Sequence, residues 1–246
     1  MKPPPLDERC ALFLDVDGTL LHYADRPQDV RVDASLHRLI SRVQAALGGA
    51  LALISGRALA QVDALFAPLV LPASGQHGVE RRNALGRVHT HAFPAPAEAA
   101  ARLAAFAAGQ PGLIFEDKGA SLALHYRLAP HLGAAARREM WVVGQELGPR
   151  FQLLEGNMVY ELKPAARSKG LAIRDFMDEL PFRGRLPVFV GDDITDEHGF
   201  DVVNRLGGHS VKVGVGATCA TARLCDVDAV HAWLASGPGP GRREVG

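Results

Sequence analysis

Four short runs of apolar residues, each ending on a polar or small residue, set the strongest limit on how this chain can fold. They are ALFLD, ALALIS, LVLPAS and LPVFVGDD. Apolar runs without alternation are typical of strands that are buried on both faces, as in a parallel sheet. Segments with the apolar spacing of helices, such as DASLHRLISRVQAAL and SKGLAIRDFMDEL, lie between these runs. Strands that alternate with helices predict a doubly wound α/β fold with a parallel sheet.

The middle of the chain shows a second pattern. SLALHYR and MVYELKP alternate between apolar and polar residues, as half-exposed antiparallel strands do, and LIFEDKG begins a third such strand. Two alanine-rich segments with helical character separate these strands. We therefore expect an inserted α+β cap at residues 81–164 and a core made of residues 1–80 and 165–246, with a disordered tail at residues 237–246.

Charge and composition narrow the functional classes. The 246 residues carry 27 basic and 27 acidic side chains, and this balance gives no electrostatic footprint for nucleic acid or an anionic membrane. No apolar run reaches the roughly 20 residues that span a bilayer, and the first ten residues lack the apolar centre of a secretory signal. We expect a cytoplasmic monomer whose three cysteines are reduced.

Acidic residues follow two of the predicted core strands. Asp15 and Asp17 come at the end of the first run, and Asp192 and Asp193 come at the end of VFVG. Ligands of doubly wound sheets bind beyond the carboxyl ends of the strands, so these carboxylates are expected to converge there. Ionised carboxylates near a buried strand need a cation or several donors, and Mg²⁺ takes oxygen ligands. Alternatively, Asp17 and Gly18 form only a turn, as Asp-Gly pairs often do.

Two further segments supply donors and positive charge. Ser55 and Arg57 follow the second strand in LISGR, and Lys169 starts a helix in ARSKG. The backbone N–H groups at the start of a helix also favour anions. A metal, a lysine, a hydroxyl and free amides together favour a phosphate site.

The ordered set DxDGT, SGR, SKG and GDDxTDE resembles the haloacid dehalogenase (HAD) superfamily of phosphatases, whose Rossmann-like core matches the predicted fold. The resemblance implies that Asp15 is the nucleophile that forms an aspartyl-phosphate. It also implies that Asp17 is the general acid for the leaving alcohol and then the base that activates water. Residues expected to hold the phosphoryl group or support its loop are Ser55 and Lys169, together with Gly18, Thr19 and Arg57.

The same resemblance implies a Mg²⁺ site. Its ligands would be Asp15, the backbone carbonyl of Asp17, and Asp192. Asp193 is either a further ligand or supports the site from outside the ligand set. Asp196 and Glu197 are expected to cap the next helix, since carboxylates suit a helix start.

Polar residues of the middle strands bear on the substrate. Alternation places the pairs Glu116/Lys118, Glu161/Lys163 and His125/Arg127 each on one strand face. One interpretation is a solvated sheet face with cross-strand ion pairs. The other is a polar face that closes over a polyhydroxylated substrate. Carboxylates of such a face accept hydrogen bonds from sugar hydroxyls, and a buried site of this kind discriminates strongly against a substrate that lacks one of them.

Several longer motifs favour the second interpretation. GQHGVERR, FEDKG, LALHYR, VYELKP, FVGDDITDE and NRLGGHSVKVG together resemble the trehalose-6-phosphate phosphatase family, over about residues 12–234. The resemblance implies that the cap contacts the two glucose units. The division of the core around an inserted cap predicts a hinge near residues 76–82 and 164–168. The substrate-binding residues that the resemblance implies are Glu116, Lys118 and Glu161 in the cap and Gln76, His77 and Gly78 at the junction of core and cap. Lys163 is added because alternation places it on the face of Glu161. For His77, a hinge turn with two glycines is the alternative.

The expected activity is therefore Mg²⁺-dependent hydrolysis of trehalose 6-phosphate through an aspartyl-phosphate. A close alternative is another HAD phosphatase with a cap, acting on sucrose phosphate or mannosyl phosphoglycerate. A different class of alternative is a non-catalytic sugar-phosphate sensor in trehalose synthesis, because a fold can retain binding without catalysis. The presence of both Asp15 and Asp17 favours an enzyme, since a sensor has no need of the second aspartate.

Overall fold

The computed structural model describes residues 2–24, 29–91 and 94–237. The predicted disordered tail lies outside the described residues from residue 238 onward. Within the described ranges the strands are β1 Cys10–Leu14, β2 Leu51–Ile54, β3 Ala73–Gly75, β4 Glu80–Arg82, β5 Val88–Thr90, β6 Ile114–Asp117, β7 Leu122–His125, β8 Phe151–Gly156, β9 Val159–Pro164, β10 Leu186–Gly191, β11 His209–Val213 and β12 Ala222–Leu224. The α-helices are α1 Ala34–Ala46, α2 Leu59–Phe66, α3 Ala97–Ala108, α4 Gly133–Leu147, α5 Lys169–Met177, α6 Glu197–Arg205 and α7 Val227–Ala235.

The larger sheet has the strand order β12-β11-β10-β1-β2-β3-β4-β5. The strands from β12 to β3 are parallel, and β4 and β5 are added in antiparallel pairs. β1 and β10 are aligned so that Leu14 pairs with Val190, which brings their carboxyl ends side by side. This register places the residues that follow both strands at one edge of the sheet.

Helices cover both faces of the larger sheet. Leu12 and Leu14 of β1 belong to a buried apolar cluster with residues of α1, α2 and α7. Phe13, which points to the opposite face, belongs to a second cluster with residues of α5 and α6. Helices on both faces of a parallel sheet confirm the predicted doubly wound core. In agreement, every residue of β1 is buried. We call this sheet and its helices the core.

The smaller sheet has the order β6-β7-β9-β8 and is wholly antiparallel, as the alternating sequence pattern predicted. Helices α3 and α4 pack against it through a separate apolar cluster that includes Leu103, Met140 and Leu162. We call this layer the cap. Because β4 pairs with β3 and β5 pairs with β4, the larger sheet continues to Thr90, beyond the predicted boundary at residue 80. None of the described helices is long and apolar enough to cross a lipid bilayer.

The aromatic cluster beneath β1 provides a test of the core. Phe182 is fully buried, stacks on Phe13 at 5.5 Å between ring centroids, and lies 5.1 Å from Phe176. Phe182→Ala should lower the free energy of unfolding by about 3–5 kcal/mol, because it removes buried surface and leaves a cavity. Urea denaturation followed by circular dichroism measures this loss. Leu180→Ala is the control, since Leu180 is 73% exposed and its change should stay within about 0.5 kcal/mol. Equal effects of both substitutions would contradict this account of the core.

Candidate active site

A cleft lies between the carboxyl ends of the core strands and the smaller sheet. Residues of both layers line it, as expected for a ligand site at the edge of a parallel sheet. Of the predicted site residues, those that line the cleft are Asp15, Asp17, Arg57, His77, Glu116, Lys118, Glu161, Lys169 and Asp193. Those outside its lining are Gly18, Thr19, Ser55, Gln76, Gly78, Lys163 and Asp192.

A buried pair of opposite charges lies at the base of the cleft. Asp15 follows β1 directly and is 4% exposed, and Lys169 begins α5 with 3% exposure. Lys169 Nζ donates to Asp15 Oδ1 at 2.7 Å. Burial raises the pKa of Asp15, and Lys169 opposes that shift. Burial alone would lower the pKa of Lys169, but the carboxylates of Asp15 and Asp196 raise it, so the side chain stays an ammonium.

Asp196 is the residue whose role the sequence interpretation missed. It lies at the predicted N-cap position of α6, but its side chain makes no capping bond to that helix. Its fully buried carboxylate instead accepts from Lys169 Nζ at 2.7 Å and from the N–H groups of Asp192 and Asp193. A Cβ on Gly191 would lie 2.4 Å from the Asp196 carboxyl carbon, so only glycine fits there. Asp196 therefore fixes both the lysine and the loop after β10.

Three carboxylates are close enough to share a cation. Among the described residues, Asp15, Asp192 and Asp196 offer oxygen atoms that all lie within 4.8 Å of one another. Burial, followed by the charge of Asp196, raises the pKa of Asp192 to about 7. Such a concentration of negative charge is stabilised by a divalent cation, and the all-oxygen donor set suits a hard metal ion. Asp193 lies outside this trio, and its carboxylate accepts from the Ile194 N–H.

The loop after β1 is shaped by its contacts with Asp192. Gly18 has a φ of 82°, and a Cβ there would lie 2.2 Å from Asp192 Oδ2, so glycine is required. Thr19 Oγ1 donates to Asp192 Oδ1 at 3.4 Å. The hydroxyl of Tyr23 donates to Asp192 Oδ2 at 2.9 Å. Burial and the nearby carboxylates raise the pKa of Tyr23, so its hydroxyl remains a donor.

Asp17 and Arg57 form a two-point ion pair beside the nucleophile position. Arg57 Nε and one terminal nitrogen each donate to an Asp17 carboxylate oxygen at 2.7 Å. The buried hydroxyl of Ser55 accepts from the Arg57 N–H at 3.0 Å. The predicted SGR segment thus lies beside both aspartates of the first motif.

Cap residues reach the core at a second charged cluster. Lys118 Nζ donates to Glu161 at 2.8 Å and to the Gly56 carbonyl at 3.0 Å. Glu161 also lies 3.4 Å from His77 Nε2. Burial opposes the charge of Glu161, but Lys118 and His77 lower its pKa, and Glu161 in turn raises the pKa of Lys118 against burial. Glu161 Oε1 and His77 Nδ1 are buried and have no hydrogen-bond partner among the described residues.

Glu116 is held from both layers. Gln61 of α2 donates to Glu116 Oε1 at 2.8 Å, and His125 Nε2 contacts Oε2 at 3.0 Å. Burial favours the neutral acid, but the His125 hydrogen bond, the Lys118 charge and the Gln61 amide outweigh it and lower the pKa of Glu116 to about 2. The Gln61 carbonyl accepts from the Ala58 N–H at 3.0 Å, which turns the amide nitrogen toward Glu116.

Three residues predicted to bind substrate instead occupy the connections between the layers. Lys163, almost wholly buried, donates to the carbonyls of Pro164 and Arg167 rather than facing the cleft. The amide of Gln76 is paired with Glu80 and Ser121. A Cβ on Gly78 would lie 2.6 Å from the Ser168 carbonyl oxygen, so this glycine allows two connecting segments to touch.

Comparison with known proteins places the chain among phosphatases. A family described as trehalose-phosphatase matches residues 13–224. The trehalose-6-phosphate phosphatase of Escherichia coli (strain K12) is 44% identical over 233 residues, which cover 94% of this chain and 87% of that protein. A probable trehalose-phosphate phosphatase of Sinorhizobium fredii (strain NBRC 101917 / NGR234) is 43% identical over 229 residues, covering 92% and 86%.

The fold has close relatives among solved structures. The C-terminal domain of C. albicans trehalose-6-phosphate phosphatase matches with a TM-score of 0.82 at 21% identity, covering 93% of this chain and 91% of that one. A trehalose-6-phosphate phosphatase related protein matches with a TM-score of 0.73 at 24% identity, and the match covers 91% of this chain and 95% of that chain. At these identities the likeness shows a shared fold of core and cap.

The position of Lys163 predicts a pH dependence of stability. Burial lowers the pKa of Lys163 to about 8 in the folded chain, against about 10.4 for an exposed lysine. Below pH 8, Lys163 is protonated in both the folded and the unfolded state. Between about pH 8 and 10, the folded state loses this proton while the unfolded state keeps it. The free energy of unfolding therefore rises with pH in that range. From pH 7 to 9, the unfolding free energy of the wild type should therefore gain about 1 kcal/mol more than that of Lys163→Met. Urea titrations at both pH values measure the difference, and parallel curves would contradict the prediction.

Proposed function

Since the chain belongs to the trehalose-phosphatase family, we propose that it hydrolyses trehalose 6-phosphate to trehalose and phosphate. The observation that carries this proposal is one cleft that the two layers line with chemically different residues. The core lines it with Asp15 and Lys169, and the other members of the acidic trio lie within 4.8 Å of Asp15, while the cap lines it with Glu116, Lys118 and Glu161. The core side suits a phosphoryl group, and the cap side suits sugar hydroxyls.

The acidic trio supports a Mg²⁺ cofactor. Asp15 and Asp192 would hold the ion together with the backbone carbonyl of Asp17, while Asp196 supports them from behind, because its oxygens already accept from Lys169 and two N–H groups. Asp193 would act from outside the ligand set, since it caps the short turn at residues 194–196. When bound, Mg²⁺ would offset the negative charge of the phosphoryl group and help to orient it.

In the proposed first step, an Asp15 oxygen attacks phosphorus and the bond from phosphorus to the sugar oxygen breaks. For this step Asp17 has to release Arg57 and carry a proton, which it keeps from the water-activating step of the previous turnover; it gives this proton to the departing sugar oxygen, so that the free sugar leaves. The Lys169 ammonium, 2.7 Å from Asp15, would stabilise the charge on the phosphoryl oxygens. The Ser55 hydroxyl, whose oxygen accepts from the Arg57 N–H, would donate its proton to a phosphoryl oxygen.

In the second step, water attacks the phosphorus of the aspartyl-phosphate. Asp17, now a carboxylate, takes the proton from that water, and Asp15 is released with phosphate. The Arg57 guanidinium keeps the Asp17 carboxylate near the cleft through two hydrogen bonds. The cap contacts at Lys118 and Glu116 would exclude bulk water from this intermediate.

The cap side of the cleft supports a disaccharide. Glu161 Oε1 and His77 Nδ1 are buried and lack partners among the described residues, and an unpaired buried acceptor is costly. A sugar hydroxyl that donates to Glu161 would remove that cost. Lys118 and Glu116 lie on the same wall, so several hydroxyls of a second sugar could be bound together.

The proposed activity is tested with a substrate panel. In the presence of Mg²⁺, phosphate release from trehalose 6-phosphate should greatly exceed release from glucose 6-phosphate and sucrose 6-phosphate. Asp15→Asn should lower kcat by at least about 10³-fold, because the amide cannot act as the nucleophile. Asp201→Asn is the matched control, since the ion pair that Asp201 makes among the described residues is with Arg205 on the exposed face of α6. Equal rates on the three sugar phosphates, or full activity of Asp15→Asn, would overturn the proposal.

The contact between Gln61 and Glu116 predicts a separate effect on substrate binding. Gln61→Glu keeps the acceptor for the Ala58 N–H but places a negative charge opposite Glu116. It should lower kcat/KM for trehalose 6-phosphate by about tenfold, since a charged hydrogen bond is lost and repulsion replaces it. The rate with p-nitrophenyl phosphate, which carries no sugar, should stay near the wild-type value. An unchanged kcat/KM for trehalose 6-phosphate would show that Gln61 serves only to cap α2.

A further inference from the structure

Among the described residues of the loop after β1, Tyr23 is the one whose side chain contacts both the acidic trio and the cap. Its hydroxyl donates to Asp192 Oδ2 at 2.9 Å. The guanidinium carbon of Arg127 lies over the same ring, 5.1 Å from the ring centroid. Both Tyr23 and Arg127 line the cleft. No sequence motif singled out this tyrosine.

The contact with Asp192 determines how that carboxylate is turned. Tyr23 donates to Oδ2, and Thr19 donates to Oδ1 at 3.4 Å. The ring also rests on the first motif, because a Cβ on Gly18 would lie 2.6 Å from a ring carbon of Tyr23. A small movement of the ring would therefore change the hydrogen bond to Asp192.

The contact with Arg127 belongs to the cap. Arg127 follows β7, and one of its terminal nitrogens donates to the Asn157 carbonyl at 3.1 Å in the turn between β8 and β9. The neighbouring Gly156 lies against the core, since a Cβ there would lie 3.2 Å from Asp193 Oδ2. A guanidinium over an aromatic face is attracted by the negative charge of that face. Arg127 thus joins the cap hairpin to Tyr23.

We propose that Tyr23 is a positioning residue that couples the orientation of the Asp192 carboxylate to the seating of the cap on the core. An aromatic ring is rigid, so Arg127 cannot hold its face without also fixing where its hydroxyl lies. Cap seating then favours the orientation of Asp192 in which Oδ2 accepts from Tyr23. By linkage, a metal ion that prefers this orientation also favours the seated cap. This inference rests on the proposed function, in which Asp192 is a Mg²⁺ ligand.

The coupling is tested by Mg²⁺ binding to the full chain without substrate, measured by isothermal titration calorimetry. Tyr23→Phe keeps the ring and removes the donor, and it should weaken Mg²⁺ binding by about 5- to 10-fold. Arg127→Met leaves the hydroxyl in place and should still weaken binding by about 2- to 5-fold, the size of a cation–π contact. In the Tyr23→Phe background, Arg127→Met should have no further effect, because the link to Asp192 is already broken.

Matched controls separate this coupling from general damage. Tyr160→Phe removes a hydroxyl from a ring that stacks on Tyr126 in the cap, and Arg137→Met removes an exposed cap arginine paired with Glu155. Neither should change Mg²⁺ affinity. Arg127→Lys retains a cation over the ring and should restore most of the affinity that Arg127→Met loses.

A second measurement tests the reverse effect, that of Mg²⁺ binding on the seating of the cap. Mg²⁺ should slow hydrogen exchange at the backbone amides around Asn157 in the wild type, and this protection should disappear in Tyr23→Phe. Wild-type affinity in Arg127→Met, or additive effects in the double variant, would overturn the inference. If the wild type hydrolyses trehalose 6-phosphate and binds Mg²⁺ while both variants behave like it, only this inference fails. If the wild type binds no Mg²⁺, the proposed cofactor fails and this inference fails with it.

Discussion

The buried ammonium of Lys169, held between Asp15 and Asp196, is the interaction on which the rest of the site depends. Each hydrogen bond is 2.7 Å long, and all three side chains are almost wholly buried. Charges removed from water are tolerated only when they are paired with good geometry. That geometry requires β1 and β10 to be neighbours in register, as the pairing of Leu14 with Val190 makes them, and α5 to begin between their ends.

This arrangement leaves an excess of negative charge. The crowding of these carboxylates explains which residues can lie beside them. Two carboxylates share one ammonium, and Asp192 brings a third carboxylate within 4.8 Å. The backbone has to approach closely for this to happen, so glycine occupies positions 18 and 191, where any Cβ would collide with Asp192 or Asp196. In the proposed mechanism, a cation that neutralises the excess would lie beside the phosphoryl group. The same charges, which repel one another when they lie together, therefore favour the proposed cofactor and substrate.

Much of this arrangement could be predicted from the sequence, because the carboxyl ends of parallel strands meet at one edge. That rule brought Asp15 and Asp192 together correctly, since their carboxylate oxygens lie within 4.8 Å of one another. It could not separate Asp196 from an ordinary helix cap, since both roles place an acid at a helix start. Alternation grouped Lys163 with the substrate face, but β9 ends there, and nearby carbonyls of the connecting segment bind its amine. Tyr23 lies in a loop without periodicity, so only the three-dimensional contacts could identify it.

The cap buries polar atoms that lack hydrogen-bond partners, and the substrate can supply those partners. Glu116, Lys118 and Glu161 receive partners from the core, so the polar wall is complete only when the two layers touch. Even then, Glu161 Oε1 and His77 Nδ1 lack partners among the described residues. A substrate without the second sugar would leave these atoms unpaired, and sites built to hydrogen-bond a substrate hydroxyl discriminate by about 10⁴-fold or more against analogues that lack it. Selectivity would therefore come from completing the hydrogen bonds of the cap, while the chemistry at Asp15 remains the same for any phosphate ester.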